Sequence, residues 1–422
     1  MSPASPNPSA GWRSGFWALM GTQCQNAFSD NALKFLVIGL ALGRAATEDE
    51  RSHIVPLAGV LYAGPFLVFS MFGGWLADRF SKAAVMRGVK FAEIFIMLFA
   101  ALGLGLQIPA LEYLAVFFMG CHSAIFGPSK YGILPEMLPY EKLSWGNGLL
   151  ELLTFAGVIL GMMAGGFLAE YIHGGQYWSG LILSALAFCG WLASQKITRV
   201  RPADPTCQIR YNPVTDLAAQ VRLLHSDRDL WRANWGNTGF WFVAALVQQN
   251  LVLYSDSVLG LDRFQNTLLL SALLIGIGIG SAAAGILSRG RIEYGFVPLG
   301  ALGLALSTIP MGITAISIVN FTISLVALGL FAGLFIVPVS AVLQHKPAPE
   351  SKGAVQGAAN LLSFVGIFAA SGVQFLLSLI KLTPGQVFWF CGIAALATGI
   401  YAAATRRGAL QNLLQLFSHK PS

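Results

Sequence analysis

The chain has 422 residues, of which 55% are hydrophobic and only 11% charged, and its formal net charge is +7. Apolar residues fall in many runs of about 20, the length that crosses a bilayer core, so a soluble globular protein is excluded and a polytopic membrane protein is expected. The class is all-α, because lipid offers no partner to the unpaired backbone of an open sheet, and the positive charge sorts by membrane side rather than pointing to nucleic acid as a partner.

Residues 1–11 are rich in Ser, Pro and Asn, carry no basic n-region and lead into the first apolar segment without a cleavage site, so no signal peptide is expected to be removed. Twelve helical segments follow, at roughly 15–42, 56–77, 84–106, 110–134, 147–172, 177–196, 233–258, 266–288, 294–314, 317–344, 354–380 and 384–405. Arg79, Lys82, Arg87, Arg201, Arg289 and Arg406 lie in the termini and the even-to-odd connections, whereas Arg44, Arg51, Arg263 and Lys381 lie on the other side. The positive-inside rule then puts both termini in the cytoplasm, with an even number of spans.

The longest polar interval divides the chain into an N-terminal six-helix half (1–196), a cytoplasmic linker (197–232) with one short surface helix at 212–225, and a C-terminal six-helix half (233–422). An internal repeat supports the division. Asn147-Gly148-Leu149-Leu150-Glu151 opens the fifth segment as Gln356-Gly357-Ala358-Ala359-Asn360 opens the eleventh, and Thr154, Phe155 and Gly157 match Ser363, Phe364 and Gly366. Two parallel six-helix repeats suit a rocking transporter with a central site. The 47 glycines let its helices approach closely.

Five cysteines (Cys24, Cys121, Cys189, Cys207, Cys391) show no C-x-x-C spacing, and four lie in apolar segments as small core residues. With no metal-ligand cluster, no second intramembrane histidine and no nucleophile elbow, neither a metal, a cofactor nor a catalytic residue is expected.

Ionisable residues inside spans are costly and therefore functional candidates. Asp30 and Lys34 are four apart on one helical face, with Gln23, Asn26 and Asn31 nearby. They read either as a polar site or as an internal salt bridge. Gly127-Pro128-Ser129-Lys130-Tyr131-Gly132 should loosen the fourth helix around Lys130, turning the lysine into a cavity; the alternative is a stem that snorkels to the interface. Glu136, just beyond, is either a gate partner or a surface charge. Glu151, answered in the repeat by Asn360, suggests two polar walls of one cavity. Glu93 suits interhelical pairing at least as well as a substrate role, and His122 reads as a hydrogen-bonded core histidine. Gln248, Gln249 and Asn250 are consecutive and must point in three directions. Phe28, Phe35, Trp235, Phe240, Trp241 and Phe364 would give such a cavity apolar walls.

Gly74-Trp75-Leu76-Ala77-Asp78-Arg79-Phe80-Ser81-Lys82 resembles the G-x-x-x-D-R signature of the major facilitator superfamily. The resemblance implies that Asp78 and Arg79 help to close the cytoplasmic side; the plainer reading makes them solvated loop charges. The related place in the second half, Gly285-Ile286-Leu287-Ser288-Arg289-Gly290-Arg291, is basic but lacks the acid.

Asn26-Ala27-Phe28-Ser29-Asp30-Asn31-Ala32-Leu33, Gly127-Pro128-Ser129-Lys130-Tyr131-Gly132-Ile133-Leu134, Asn147-Gly148-Leu149-Leu150-Glu151 and the stretch from Gly333 to Gln344 are together similar to the bacterial lysophospholipid transporters, over almost the whole membrane region. That resemblance implies transport of lysophospholipids, chiefly lysophosphatidylethanolamine, from the outer to the inner leaflet of the bacterial inner membrane, with re-acylation by an acyltransferase expected here as a separate chain. It implies that Asp30 meets the headgroup ammonium and Lys130 the phosphate, and that Asn31 and Glu151 complete the polar site; Lys34 and Glu136 are expected to join Asp78 and Arg79 as gating charges. Gln248 stands where well-known members carry a basic residue, which bears on headgroup preference or on gating with Asp30. The alternatives are a proton-coupled efflux or small-solute transporter on the same fold, with Asp30 or Glu93 as carrier, and a membrane scaffold or membrane-embedded enzyme.

Overall fold

The computed structural model describes residues 12–172, 176–208, 213–261, 263–288, 291–313 and 317–403. Arg289 and Arg406, named above for their charge, and residues 1–11 lie outside these. The described residues form α-helices and two short 3-10 turns. In chain order the helices are α1 (Trp12–Arg44), α2 (Glu48–Arg79), α3 (Lys82–Leu106), α4 (Pro109–Met137), α5 (Leu143–Tyr171), α6 (Tyr177–Ser194), α7 (Pro213–Ser226), α8 (Arg228–Ser257), α9 (Arg263–Leu287), α10 (Phe296–Met311), α11 (Ile318–His345), α12 (Lys352–Leu379) and α13 (Pro384–Ala403). Each of the twelve expected spans is a helix, and α7 is the short linker helix.

Among the described residues nine helices are long and apolar enough to cross a membrane. The polar faces of α1 and α8 and the 16-residue length of α10 keep those three below that mark. Their surfaces agree with a lipid environment: Phe91, Phe95 and Leu102 on α3, Trp178 and Ile182 on α6, and Ile393 and Ile400 on α13 are all exposed. Helix ends are closed by side chains. Thr47 accepts the Glu50 N–H at 3.2 Å to start α2, and Asp227 accepts those of Asp229 and Leu230 at 2.8 and 3.2 Å to start α8.

The chain forms two compact units. The first comprises Met1–Pro139, Leu153–Gln220 and Ala348–Leu361; the second comprises Tyr140–Leu152, Val221–Pro347 and Leu362–Ser422. The division differs from a straight cut at the linker because α5 and α12 each contribute to both units. They do so at repeat-equivalent places, Leu152 and Leu361.

In the first unit α1 packs on α4 and α6, α2 on α4, and α3 on α4 and α6. The core there is aliphatic, built from Leu33, Leu36, Met97, Leu104, Val116, Met119 and Leu183. Gly157, Gly161 and Gly165 of α5 form a one-per-turn stripe on which α1 lies so closely that an added Cβ would fall 2.4 Å from the carbonyl oxygens of Cys24, Phe28 and Ala32 in turn. In the second unit the same device joins α9 to α11. Gly276 and Gly280 face Val326 and Leu330, while Gly329 and Gly333 face Leu273 and Ile277. Lipid supplies no hydrophobic drive between helices, so this backbone contact is what holds them.

Two expectations are corrected. α4 runs as one helix through Gly127, Pro128 and Pro135, so the backbone around Lys130 is not interrupted; within a packed bundle, neighbouring groups compensate the hydrogen bond that proline removes. Of the cysteines only Cys391 is buried, and Cys189 is exposed on α6.

Candidate functional site

The site in the first unit is built around Asp30, which is 6% exposed. Its Oδ2 accepts three hydrogen bonds: from Asn26 Nδ2 one turn earlier at 3.2 Å, from Tyr62 OH of α2 at 3.0 Å and from Ser123 Oγ of α4 at 2.7 Å. The other oxygen, Oδ1, is buried and has no hydrogen-bond partner among the described residues. Gly120 explains how Tyr62 comes so near, since a Cβ there would fall 2.3 Å from the Tyr62 carbonyl oxygen. Neither Tyr62 nor Ser123 was legible as a site residue, because both come from other helices and neither type stands out in an apolar span.

Lys34, one turn beyond Asp30, is not held in a salt bridge with it. Its ammonium sits 5.0 Å from the Tyr62 ring and 5.4 Å from the Phe35 ring. Asn31 turns its amide to the Ala27 carbonyl at 2.9 Å, within its own helix.

A second polar cluster adjoins the first. Lys90 and Glu93 are paired one turn apart on α3, and both are fully buried. Gln25 donates to Ser29 Oγ at 2.7 Å and to Glu93 Oε1 at 3.1 Å. The buried His122 ring stacks on Phe126 and places Nε2 3.3 Å from Glu93 Oε2, with Nδ1 3.5 Å from Ser123 Oγ. His122 is thus a core histidine and Glu93 an interhelical partner, as their settings suggested. Lys90 was missed, although its spacing of three from Glu93 was a readable signal.

Farther along α4, Lys130 is half-buried with its ammonium 4.3 Å from the Tyr131 ring. It lies seven residues past Ser123, on the same face and about 10 Å along the axis. Asn360 of α12 donates to Ser70 Oγ of α2 at 2.9 Å and would meet a Cβ on Gly127 at 3.5 Å. Gly132 serves a different residue from the one expected. It makes room for the stem of Lys82, whose Nζ pairs with Glu136 at 2.6 Å, so Glu136 is the partner of a buried cation rather than a free surface charge.

Asp78 is 2% exposed and caps α12. Its two oxygens accept the backbone N–H groups of Gly353 at 2.6 Å and Ala354 at 2.7 Å, a carboxylate at the positive end of a helix. Arg79 donates to the Cys207 carbonyl at 2.7 Å. Asp78 is therefore no solvated loop charge.

In the second unit Glu151 is buried on α5 and Gln248 is exposed on α8. Gln249 and Asn250 are bonded to Ser371 Oγ and the Pro384 carbonyl at 2.9 and 2.8 Å. Between α8, α9, α10 and α11 lies an apolar cavity lined by Phe240, Val243, Val247, Ile277, Leu304 and Phe335. The Thr398 hydroxyl at its edge is spent on the Ala394 carbonyl at 2.8 Å.

The Major Facilitator Superfamily profile matches residues 19–371. A lysophospholipid transporter LplT of Klebsiella pneumoniae is 32% identical over 351 residues, covering 81% of this chain and 82% of that protein. One of Cronobacter sakazakii is 30% identical over 408 residues, covering 95% and 96%. Among solved structures the human organic anion transporter MFSD10 superposes with a TM-score of 0.78 at 14% identity, over 93% of this chain and 100% of that one. The transporter FucP gives 0.73 at 12%, over 93% and 98%. This multi-pass membrane protein belongs to the Major Facilitator Superfamily.

Proposed function

We propose that the chain is a lysophospholipid transporter, moving its substrate from the outer to the inner leaflet of the bacterial inner membrane by alternating access, with lateral entry for the acyl chain and both termini in the cytoplasm. The observation that carries the reading is Asp30, a buried carboxylate with one oxygen fixed by three donors and the other without a partner. A buried acceptor left open costs free energy until a donor fills it. A headgroup ammonium is such a donor, and it brings the charge that a dry carboxylate needs.

Lys130, two turns along α4 from the serine that holds Asp30, supplies the phosphate contact. Asn31, Glu151, Gln248 and Asn360 are assigned to the remaining polar wall, and Lys34, Asp78, Arg79 and Glu136 to gating. The halves 1–196 and 233–422 rock about the site, with 197–232 as the linker. The protein acts as a carrier, not an enzyme, and a separate cytoplasmic-side acyltransferase consumes what it delivers.

The test is binding of labelled lysolipids of matched acyl length to the protein in nanodiscs. Ethanolamine-bearing lysolipid should bind, and Asp30→Asn should weaken it about tenfold or more, as loss of a charge-assisted hydrogen bond implies. A glycerol headgroup, without the ammonium, should be insensitive to that change. Equal weakening of both headgroups would refute the assignment of Asp30 to the ammonium.

A further inference from the structure

Two charges of opposite sign stand open one helical turn apart on α1. Asp30 keeps Oδ1 buried and without a hydrogen-bond partner among the described residues. Lys34 is half-buried, and among those residues its three N–H donors meet only ring faces, that of Tyr62 at 5.0 Å and that of Phe35 at 5.4 Å. A ring face attracts a cation but does not replace the oxygen acceptors that the ammonium has in water. A spacing of four lets two such residues pair directly, and a pair kept only to anchor α1 would close. Here Tyr62 stands with both instead: its hydroxyl donates to Asp30 Oδ2 at 3.0 Å while its ring carries the Lys34 ammonium.

We propose that Lys34 is a second phosphate contact, so that one turn of α1 holds the whole zwitterion: Asp30 Oδ1 takes the ammonium and Lys34 Nζ an unesterified phosphate oxygen. This rests on the reading that Asp30 receives an ammonium. Four residues of helix advance about 6 Å, a spacing that the two-carbon bridge between the ammonium and the phosphate of an ethanolamine headgroup can follow. Lys130 lies about 10 Å along α4 from the serine that holds Asp30, and it meets the same phosphate with its stem extended toward Asp30. A phosphodiester has two unesterified oxygens, one for each lysine. Lys34 thus changes partners when the site fills, as its gating assignment requires.

The charge balance favours the same class of substrate. Asp30, Lys34, Lys90 and Glu93 belong to this polar region, and their charges sum to zero. A headgroup of no net charge leaves that sum unchanged. One that brings a phosphate alone adds a negative charge within the span and leaves Asp30 Oδ1 without a cation, which is costly away from water.

The experiment measures binding, above that of empty nanodiscs, of three ligands of matched chain length. Lysophosphatidylethanolamine has both charges, its glycerol-headgroup analogue has the phosphate without the ammonium, and a long-chain alkylammonium has the ammonium without the phosphate. Lys34→Gln should weaken both lysolipids about tenfold or more, the scale of a lost charge-assisted contact, and should not weaken the alkylammonium. Lys34→Arg, which keeps the cation, should restore both lysolipids. Equal weakening of all three ligands by Lys34→Gln, or weakening of none, overturns the phosphate contact. Lysolipid loss in Lys34→Gln beside unchanged lysophosphatidylethanolamine binding in Asp30→Asn supports the phosphate contact and refutes the ammonium assignment, so the two readings fail separately. A wild type that binds neither lysolipid overturns both. If Lys34→Gln does not fold, Lys130→Ala with ¹⁵N-labelled lysine side chains, at saturating lysophosphatidylethanolamine, decides: magnetisation transfer from the bound phosphorus to a lysine Nζ supports Lys34, and its absence overturns the proposal.

Discussion

Gly353 donates its backbone N–H to Asp78 Oδ1 at 2.6 Å, so the carboxylate that ends α2 caps the start of α12, across 275 residues of chain. The second oxygen takes the next N–H, that of Ala354. Such contact needs glycine: a Cβ on Gly353 would fall 2.5 Å from the Gly74 carbonyl oxygen, and one on Gly74 2.7 Å from that of Gly353. Asp78→Ala leaves two N–H groups without an acceptor in a place that water reaches poorly, at a cost of about 1–3 kcal/mol. The thermal midpoint of the purified protein should drop and a cysteine placed at Ala354 should label faster. Asp78→Asn, which keeps one acceptor oxygen, should fall between. Unchanged labelling in Asp78→Ala would show that the cap does not hold the start of α12.

The glycine stripe on α5 yields a prediction with its own control. Gly161 has the Phe28 backbone where its side chain would go, whereas nothing lies within 4 Å of a Cβ on Gly166. Gly161→Leu must push α1 away and is expected to cost about 3 kcal/mol or more, at or above the upper end of ordinary overpacking because backbone cannot repack. Gly166→Leu should be neutral. Detergent-solubilised yield and thermal midpoint read the difference, and equal behaviour of the two variants would contradict the packing described.

Lys346 outside the spans pairs with Asp227 and Asp229. Partial burial opposes the charge of Asp227, but the hydrogen bonds from Lys346 and from the Leu230 and Asp229 N–H groups outweigh it and hold this carboxyl below its usual range. Burial likewise opposes the Lys346 charge, and its two carboxylate partners overcome that and raise it above the usual lysine value. The sign follows for each. The Asp227 contribution is present above about pH 4 and is lost as pH falls through its lowered value; the Lys346 contribution is present below about pH 10 and is lost as pH rises through its raised value. Because the side chains are about one-third exposed, solvent screening keeps the total below about 1 kcal/mol. Lys346→Met should therefore lower the thermal midpoint slightly at neutral pH, by an amount that shrinks as pH falls through the lowered Asp227 value. A difference that does not shrink with falling pH would exclude this ion pair as its source.

The spans were legible because each is a long apolar run bounded by glycine, proline or charge, a signal that needs no tertiary information. The repeat was legible as well, and it has a physical counterpart. Gly74 lies against Gly353 and Gly357 where α2 meets α12, and Gly285 lies against Ser144 and Gly148 where α9 meets α5. What the sequence could not reveal is how α1, α2, α3 and α4 converge. Asp30 was conspicuous as an acid in an apolar span, but its partners Tyr62 and Ser123 and the linkage of His122 to Glu93 depend on the rotation of four helices. The expected loosening at Pro128 was wrong for a related reason: local propensity describes an isolated helix, and α4 is not isolated.

The central claim is that Asp30 receives the positive charge of a lysophospholipid headgroup. Uptake of labelled lysophosphatidylethanolamine into vesicles carrying the protein tests it most directly, with Asp30→Asn as the near-isosteric variant and Lys130→Ala beside it. The account predicts that wild type carries lysolipid inward above the protein-free rate and that Asp30→Asn reduces this about tenfold or more, the scale of a lost charge-assisted contact, with a comparable loss in Lys130→Ala. Equal uptake by wild type, both variants and protein-free vesicles would contradict it.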